Sequence, residues 1–242
     1  MTRRPGPGGR SGAARGVALF VWAVIGLVAA GWVTEGVGMA QADEQAGMAL
    51  IHAAERGDGA RVAELVRAGV SLDARDTRGR TALLAATEGD RVEVARALIA
   101  AGADVNAKDR ISNSPFLYAG AEGRNAILKL ILASGRADLA STNRYGGTAL
   151  IPAAHHGHVE TVRILLGTAI DIDHVNNLGW TALLETVILG DGGPVHTDIL
   201  RLLVEAGADV NIPDRNGATA LEHARSRGFA AMADILTRAG AR

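Results

Sequence analysis

The chain has 242 residues, 25 basic against 26 acidic, no cysteine and 3% aromatic side chains. A charge this close to neutral argues against a nucleic-acid partner, which needs a basic face. The absence of thiols excludes disulfides, thiolate chemistry and a lipid-modified cysteine anchor.

Positions 1–42 stand apart from the rest. Arg3, Arg4, Arg10 and Arg15 precede an uncharged apolar run from Val17 to Val33, and the small-x-small sequence Ala40-Gln41-Ala42 follows. This is the pattern of a secretory signal peptide cleaved before Asp43. The competing reading is an uncleaved membrane anchor, since a run from Val17 to Val33 lies at the bottom of the spanning range. Four of the 25 basic and one of the 26 acidic residues fall in this leader, leaving 21 and 25, a net charge of −4 for residues 43–242. Only Lys108 and Lys129 are lysines, against 23 arginines, and Ala and Gly are abundant, the imprint of a GC-rich bacterial genome. The expected destination is the periplasm or the exterior, with no membrane contact after cleavage.

From Gly47 on, the chain repeats. A helix-capping hydroxyl recurs at Thr81, Ser114, Thr148, Thr181 and Thr219, with a period of about 33 residues that lengthens in the fifth copy. Each should accept a backbone N–H at the start of a short helix. A turn glycine precedes it by two (Gly79, Gly146, Gly179, Gly217, with Ser112 in its place in one copy), and a helix break follows nine later at Asp90, Gly123, Gly157, Gly190 and Gly228. A second helix comes next, as with Val162, Leu165 and Leu166 at i, i+3 and i+4. The copies close on an extended exit, Gly102 to Asn106 and Gly207 to Asn211 reading identically as GADVN. Helices this short cannot bury their apolar faces alone, so the copies must stack. The reading is an all-α solenoid of about six helix-turn-helix units with β-turn fingers: 47–75, 76–108, 109–142, 143–175, 176–213 and 214–242. Met48 takes the cap position of the first unit. Arg61 and Glu64, then Glu222, Arg225 and Arg227, place polar groups on the end units, as a capped and monomeric array requires.

On these residues the chain resembles the ankyrin repeat family, whose unit of about 33 residues carries T-P-L-H-x-A on its first helix and ends in G-A-D-V-N. It departs in two columns. The family's Pro is kept only at Pro115, and its His is replaced by Leu84, Leu117, Ile151, Leu184 and Glu222. The resemblance implies a protein-protein interaction module, not an enzyme, that binds through the concave face made by the fingers and the adjoining ends of the first helices. Carried over unit by unit, those columns concentrate unusual residues in the fourth and fifth repeats: Arg144, Tyr145, His155 and His156, then Leu178, Trp180, Ile188 and Leu189. Aromatic and Arg anchors in an apolar surround are the composition of binding hot spots. The fifth copy also gains an insertion, Asp191 to Val195, at its helix-helix turn.

The runner-up reading is a small-ligand or metal receptor built from Glu185, His155, His156 and Asp191, because Glu185 stands where an apolar residue is expected. Adjacent histidines on one helix point about 100° apart, and no H-x-x-x-H spacing is present, so no metal and no cofactor are assigned. His158 and His196 are expected to be structural. No Gly-rich phosphate loop or G-x-S-x-G elbow occurs, so no catalytic residue is assigned.

Overall fold

A computed structural model describes residues 41–242. The leader expected over 1–42 lies outside the described residues as far as position 40. Twelve helices occur among the described residues, with no strand: α1 (41–56), α2 (Gly59–Arg67), α3 (Ala82–Glu88), α4 (Val92–Ala100), α5 (Pro115–Ala121), α6 (Asn125–Ala133), α7 (Leu150–His155), α8 (Val159–Leu166), α9 (Ala182–Ile188), α10 (Pro194–Glu205), α11 (Ala220–Ser226) and α12 (Ala230–Arg238). None of them is long and apolar enough to cross a membrane. Residues 46–242 form one unit.

The helices pair antiparallel and stack in two layers. From α3 onward the odd-numbered, finger-proximal helices pack on one another in sequence, and the even-numbered helices from α2 onward do the same behind them. Small residues let the inner helices approach: Ala85, Ala86, Ala119, Ala153 and Ala154 are buried, and a Cβ added at Gly120 would lie 2.8 Å from that of Ala149. Larger side chains fill the space between the layers, among them Leu98, Ile131, Leu165, Leu203 and Leu236.

The caps form as the spacing predicts in four units. Thr81, Ser114, Thr181 and Thr219 accept the N–H of Leu84, Leu117, Leu184 and Glu222 at 3.2–3.4 Å. Each such cap contributes about 1 kcal/mol. Thr148 is the exception. Its hydroxyl is buried without a partner, Ala149 takes the cap position, and α7 starts one residue late. The cause is Pro152. Where the other units have an N–H donating to the cap residue's carbonyl (Ala85 to Thr81, Glu185 to Thr181), proline has none and its ring crowds that oxygen. The first turn closes instead from Ile151 N–H to Thr148 O at 3.3 Å.

Two other expectations are corrected. Met48 does not cap the first helix, because α1 is already helical at position 41 and Met48 sits half-buried within it. The inserted residues do not all form a loop: Pro194 opens α10 at its first position, where a fixed φ suits helix entry, and Val195 is helical. The last two inserted residues thus belong to this 12-residue helix, while Asp191 to Gly193 stay in the turn before it.

Side chains reaching across repeats explain the recurring exit. Asn106 accepts from the N–H of Asp138 and donates to Arg136 O, and Asn211 accepts from the N–H of Arg242. Within the fourth repeat His174 bonds Gly146 O of the finger, and Lys108 donates to Thr142 O of the next repeat, both at 2.7 Å.

Candidate functional site

Each finger is held by one side chain that the sequence reading passes over. Asp76, Asp109, Asn143, Asn176 and Asp214 recur with the spacing of the caps, and one oxygen of each accepts two backbone N–H groups of its own turn. Asn176, for instance, accepts from Leu178 and Trp180 at 2.9 and 3.0 Å. The first of the two clamped residues is the fingertip, held by its N–H while its side chain projects outward. Ile111, Tyr145 and Leu178 occupy the same tip position in three consecutive fingers, and all are exposed.

Behind the tips runs an open groove of about 490 Å³, lined by the fingers of the third to fifth repeats and by α5, α7 and α9. Of the residues singled out in the sequence, Arg144, Tyr145, His155, His156, Leu178, Glu185 and Leu189 line it. Tyr145 is 54% exposed, Leu178 46% and Leu189 42%. Arg144 lies over the Tyr145 ring, 4.8 Å from its centroid.

Three singled-out residues fall outside the lining. Trp180 sits where the finger returns to its helix and is half-buried against the core. Ile188 likewise packs on the core. Asp191 belongs to the helix-helix turn, where it accepts from Gly193 N–H and pairs with His196 Nδ1, both at 2.9 Å. Arg80, at the same finger position in the second repeat as Trp180 in the fifth, is buried in a network with Asp76, Glu55 and Glu88 at 2.6–3.0 Å. Arg227 reaches back to the carbonyls of Ile188 and Gly190.

Tyr118, Pro152 and Glu185 of the lining belong to one column, in which the sequence reading picks out only Glu185. Four positions after each cap come Ala85, Tyr118, Pro152, Glu185 and His223. In the last two units this residue bonds the finger clamp, and the polarity is exchanged between them. Asp214 accepts from His223 Nε2 at 2.9 Å, whereas Asn176 Nδ2 donates to Glu185 Oε1 at 2.8 Å. A carboxylate on the helix is matched by an amide on the finger, and a carboxylate on the finger by an imidazole on the helix.

Glu185 is only 6% exposed. Burial raises the pKa of its carboxyl, offset in part by the Asn176 hydrogen bond. His155 Nδ1 stands 3.8 Å from Glu185 Oε2, beyond hydrogen-bond reach, and burial together with neighbouring His156 and His196 lowers its pKa. Both shifts favour uncharged groups. His156 is anchored by Nδ1 to Ala121 O of the preceding repeat at 2.7 Å, and His196 Nε2 bonds His155 O at 3.0 Å. Both histidines are thereby fastened to backbone. Among the described residues no three His, Asp or Glu side chains come together as a metal would require. The set expected for a small ligand, Glu185, His155, His156 and Asp191, is not assembled, because Asp191 is held by His196 away from the groove lining.

Comparison with known proteins bears on what such a groove is for. The family model for ankyrin repeats in three copies matches residues 27–109 and 116–214. The putative ankyrin repeat protein YahD of Escherichia coli (strain K12) is 43% identical over 99 residues, covering 40% of this chain and 49% of YahD, so the match spans about half the length of that curated relative. Among solved structures, an ankyrin repeat domain from Acinetobacter baumannii AYE is 52% identical with a TM-score of 0.78, covering 80% of this chain and 98% of that one. A chain of the complex between the predatory endopeptidase Bd0816 of Bdellovibrio bacteriovorus and immunity protein Bd3460 is 25% identical with a TM-score of 0.67, covering 78% of this chain and 97% of that one.

Proposed function

Because the chain belongs to the ankyrin repeat family, we propose that it is an exported interaction module that docks a protein partner through the concave face of its third to fifth repeats. The observation that carries this reading is the row of exposed apolar fingertips, Tyr145 and Leu178 with Ile111 beside them, opening onto a groove that no part of residues 46–242 fills. Ankyrin repeats generally mediate protein-protein contacts, and exposed aromatic and aliphatic side chains beside a cleft are what such contacts use as anchors. The likeness to a chain from an endopeptidase-immunity protein complex supports an envelope enzyme as the kind of partner that would be protected or positioned.

The leader supports export. The exported protein should have an intact mass that begins near Asp43, and recovery of the full-length chain from detergent-solubilised membranes would overturn cleavage. Docking is tested by capture from envelope extract with the chain as bait, beside Tyr145→Ala and Leu178→Ala. Each truncation should weaken the captured complex by about 2 kcal/mol or more. Arg215→Ala, on the next finger and bonded to Asn177 O, should change it little. Equal losses at all three would point away from a localised site.

A further inference from the structure

Within the docking reading above, on which this inference rests, we propose that the groove recognises an extended partner segment carrying one Lys or Arg side chain that seats on Glu185, between two apolar side chains that rest against Tyr145 and Leu178.

Glu185 is a buried carboxylate left without a cation. Asp76, by comparison, has the Arg80 guanidinium at 2.7 Å. Glu185 has the neutral amide of Asn176 on Oε1, which orients it without neutralising it; His155 stands 3.8 Å from Oε2, and His156, also facing it, is bonded to Ala121 O, so neither makes a hydrogen bond to the carboxylate. Burial and the neighbouring histidines keep the His155 imidazole uncharged at neutral pH. Of the other carboxylate and guanidinium groups in the lining, the exposed Glu122 and Arg144, the latter stacked on Tyr145, offset one another, so Glu185 adds the unbalanced negative charge. The same lining carries Ile151, Pro152, Leu178 and Leu189, apolar surface that weakens screening in the groove. The cost of desolvating Glu185 is already carried by the folded chain, so an arriving cation meets a preorganised partner and loses only its own hydration.

The spacing follows from the stack. Packed helices lie about 8–10 Å apart, so Tyr145 and Leu178, one repeat apart in the same column, match residues three apart in an extended polyproline-II chain, which advances about 3.1 Å per residue and returns a side chain to the same face at every third position. The basic side chain then falls between the two apolar ones.

The test is selection from a random seven-residue peptide display library on the full chain, in parallel with Glu185→Gln and Tyr145→Ala. The wild-type chain should enrich peptides with one Lys or Arg flanked by apolar residues three apart. Glu185→Gln keeps an acceptor for Asn176, should fold, and should lose the basic preference while keeping the apolar one. For a selected peptide, replacing Lys with norleucine should weaken binding at least tenfold to the wild type and leave binding to Glu185→Gln unchanged. Norleucine on the wild-type chain needs no variant, so the inference stays testable even if Glu185→Gln misfolds. Peptides that depend on Tyr145 but lack basic residues, or that weaken equally on both proteins, overturn this inference and leave the docking reading standing. If no selected peptide is lost on Tyr145→Ala, both fall.

Discussion

At the scale of single residues, Glu185 is conspicuous in the sequence as an acid where an apolar residue is expected, but the reason for it is not legible there. The matching amide, Asn176, lies nine positions earlier and meets it only because the finger folds back on its own helix. A folded-state pKa raised above the ordinary 4.5 of a glutamate means that the group's stabilising contribution is present below that pH and is lost as the pH rises through the folded value. The groups facing it are His155 and His156 from α7 and Asn176 from the finger, while His223 and Arg227 of the neighbouring α11 region are engaged elsewhere. Glu185→Gln should therefore raise the melting temperature at pH 7 and change it little at pH 4. A lower melting temperature at pH 7 would mean that the charge stabilises the fold. Ser112 is a simpler case, visible in the sequence as the stand-in for a finger glycine. It adopts φ 65°, as Gly79, Gly146, Gly179 and Gly217 do at 74–85°. Left-handed backbone costs a non-glycine residue roughly 1–2 kcal/mol, partly offset by the greater entropy glycine loses on folding. Ser112→Gly should stabilise by about 0.5–1 kcal/mol in urea unfolding, and destabilisation would show that the hydroxyl matters.

At the scale of elements, the repeat period makes the helices and fingers readable because every unit repeats the same cap, turn glycine and break. What the period does not carry is each unit's local exception. Pro152 is in plain view, yet its conflict with the Thr148 carbonyl emerges only when the first turn is built. The insertion reads as a loop because Gly192, Gly193 and Pro194 are turn residues, whereas proline at a helix start is also an entry signal. The fingertip columns transfer well to the groove, and Trp180 does not, since the residue just before the cap turns inward. The α7 defect is reversible. Pro152→Ala restores the N–H that Ala85 supplies in α3, should let α7 begin at Ala149, and gives the Thr148 hydroxyl the Ile151 N–H to accept. A cap is worth about 1 kcal/mol, against about 0.4–1 kcal/mol for proline's restriction of the unfolded chain. The net effect should be neutral to slightly stabilising, with new hydrogen-exchange protection at Ile151 and at position 152 itself. Unchanged exchange there would mean that the late start has another cause.

At the scale of the whole molecule, each repeat touches only its neighbours, so stability is a sum of units and interfaces, and position along the stack decides the consequence of damage. Leu165 in α8 and Leu236 in α12 are both fully buried. Truncating either to Ala should cost on the order of 2–5 kcal/mol. The two losses should spread differently. Opening the fourth repeat breaks interfaces with α6 and α10 at once, whereas opening the sixth breaks only those with the fifth. In native-state hydrogen exchange, Leu165→Ala should accelerate amides from α5 through α10, and Leu236→Ala only those of α11 and α12. Arg163→Ala is the control, because its pair with Glu160 is 60% and 50% exposed. Losing so exposed a pair should shift stability by about 0.5 kcal/mol at most. Uniform acceleration along the chain by both leucine variants would contradict the one-dimensional account. The same asymmetry reaches the groove. Tyr145 and Leu178 stand on fingers of the fourth and fifth repeats, so loosening the fourth repeat changes their spacing and should abolish binding at temperatures where Leu236→Ala, with its damage confined to the last repeat, still binds with wild-type affinity.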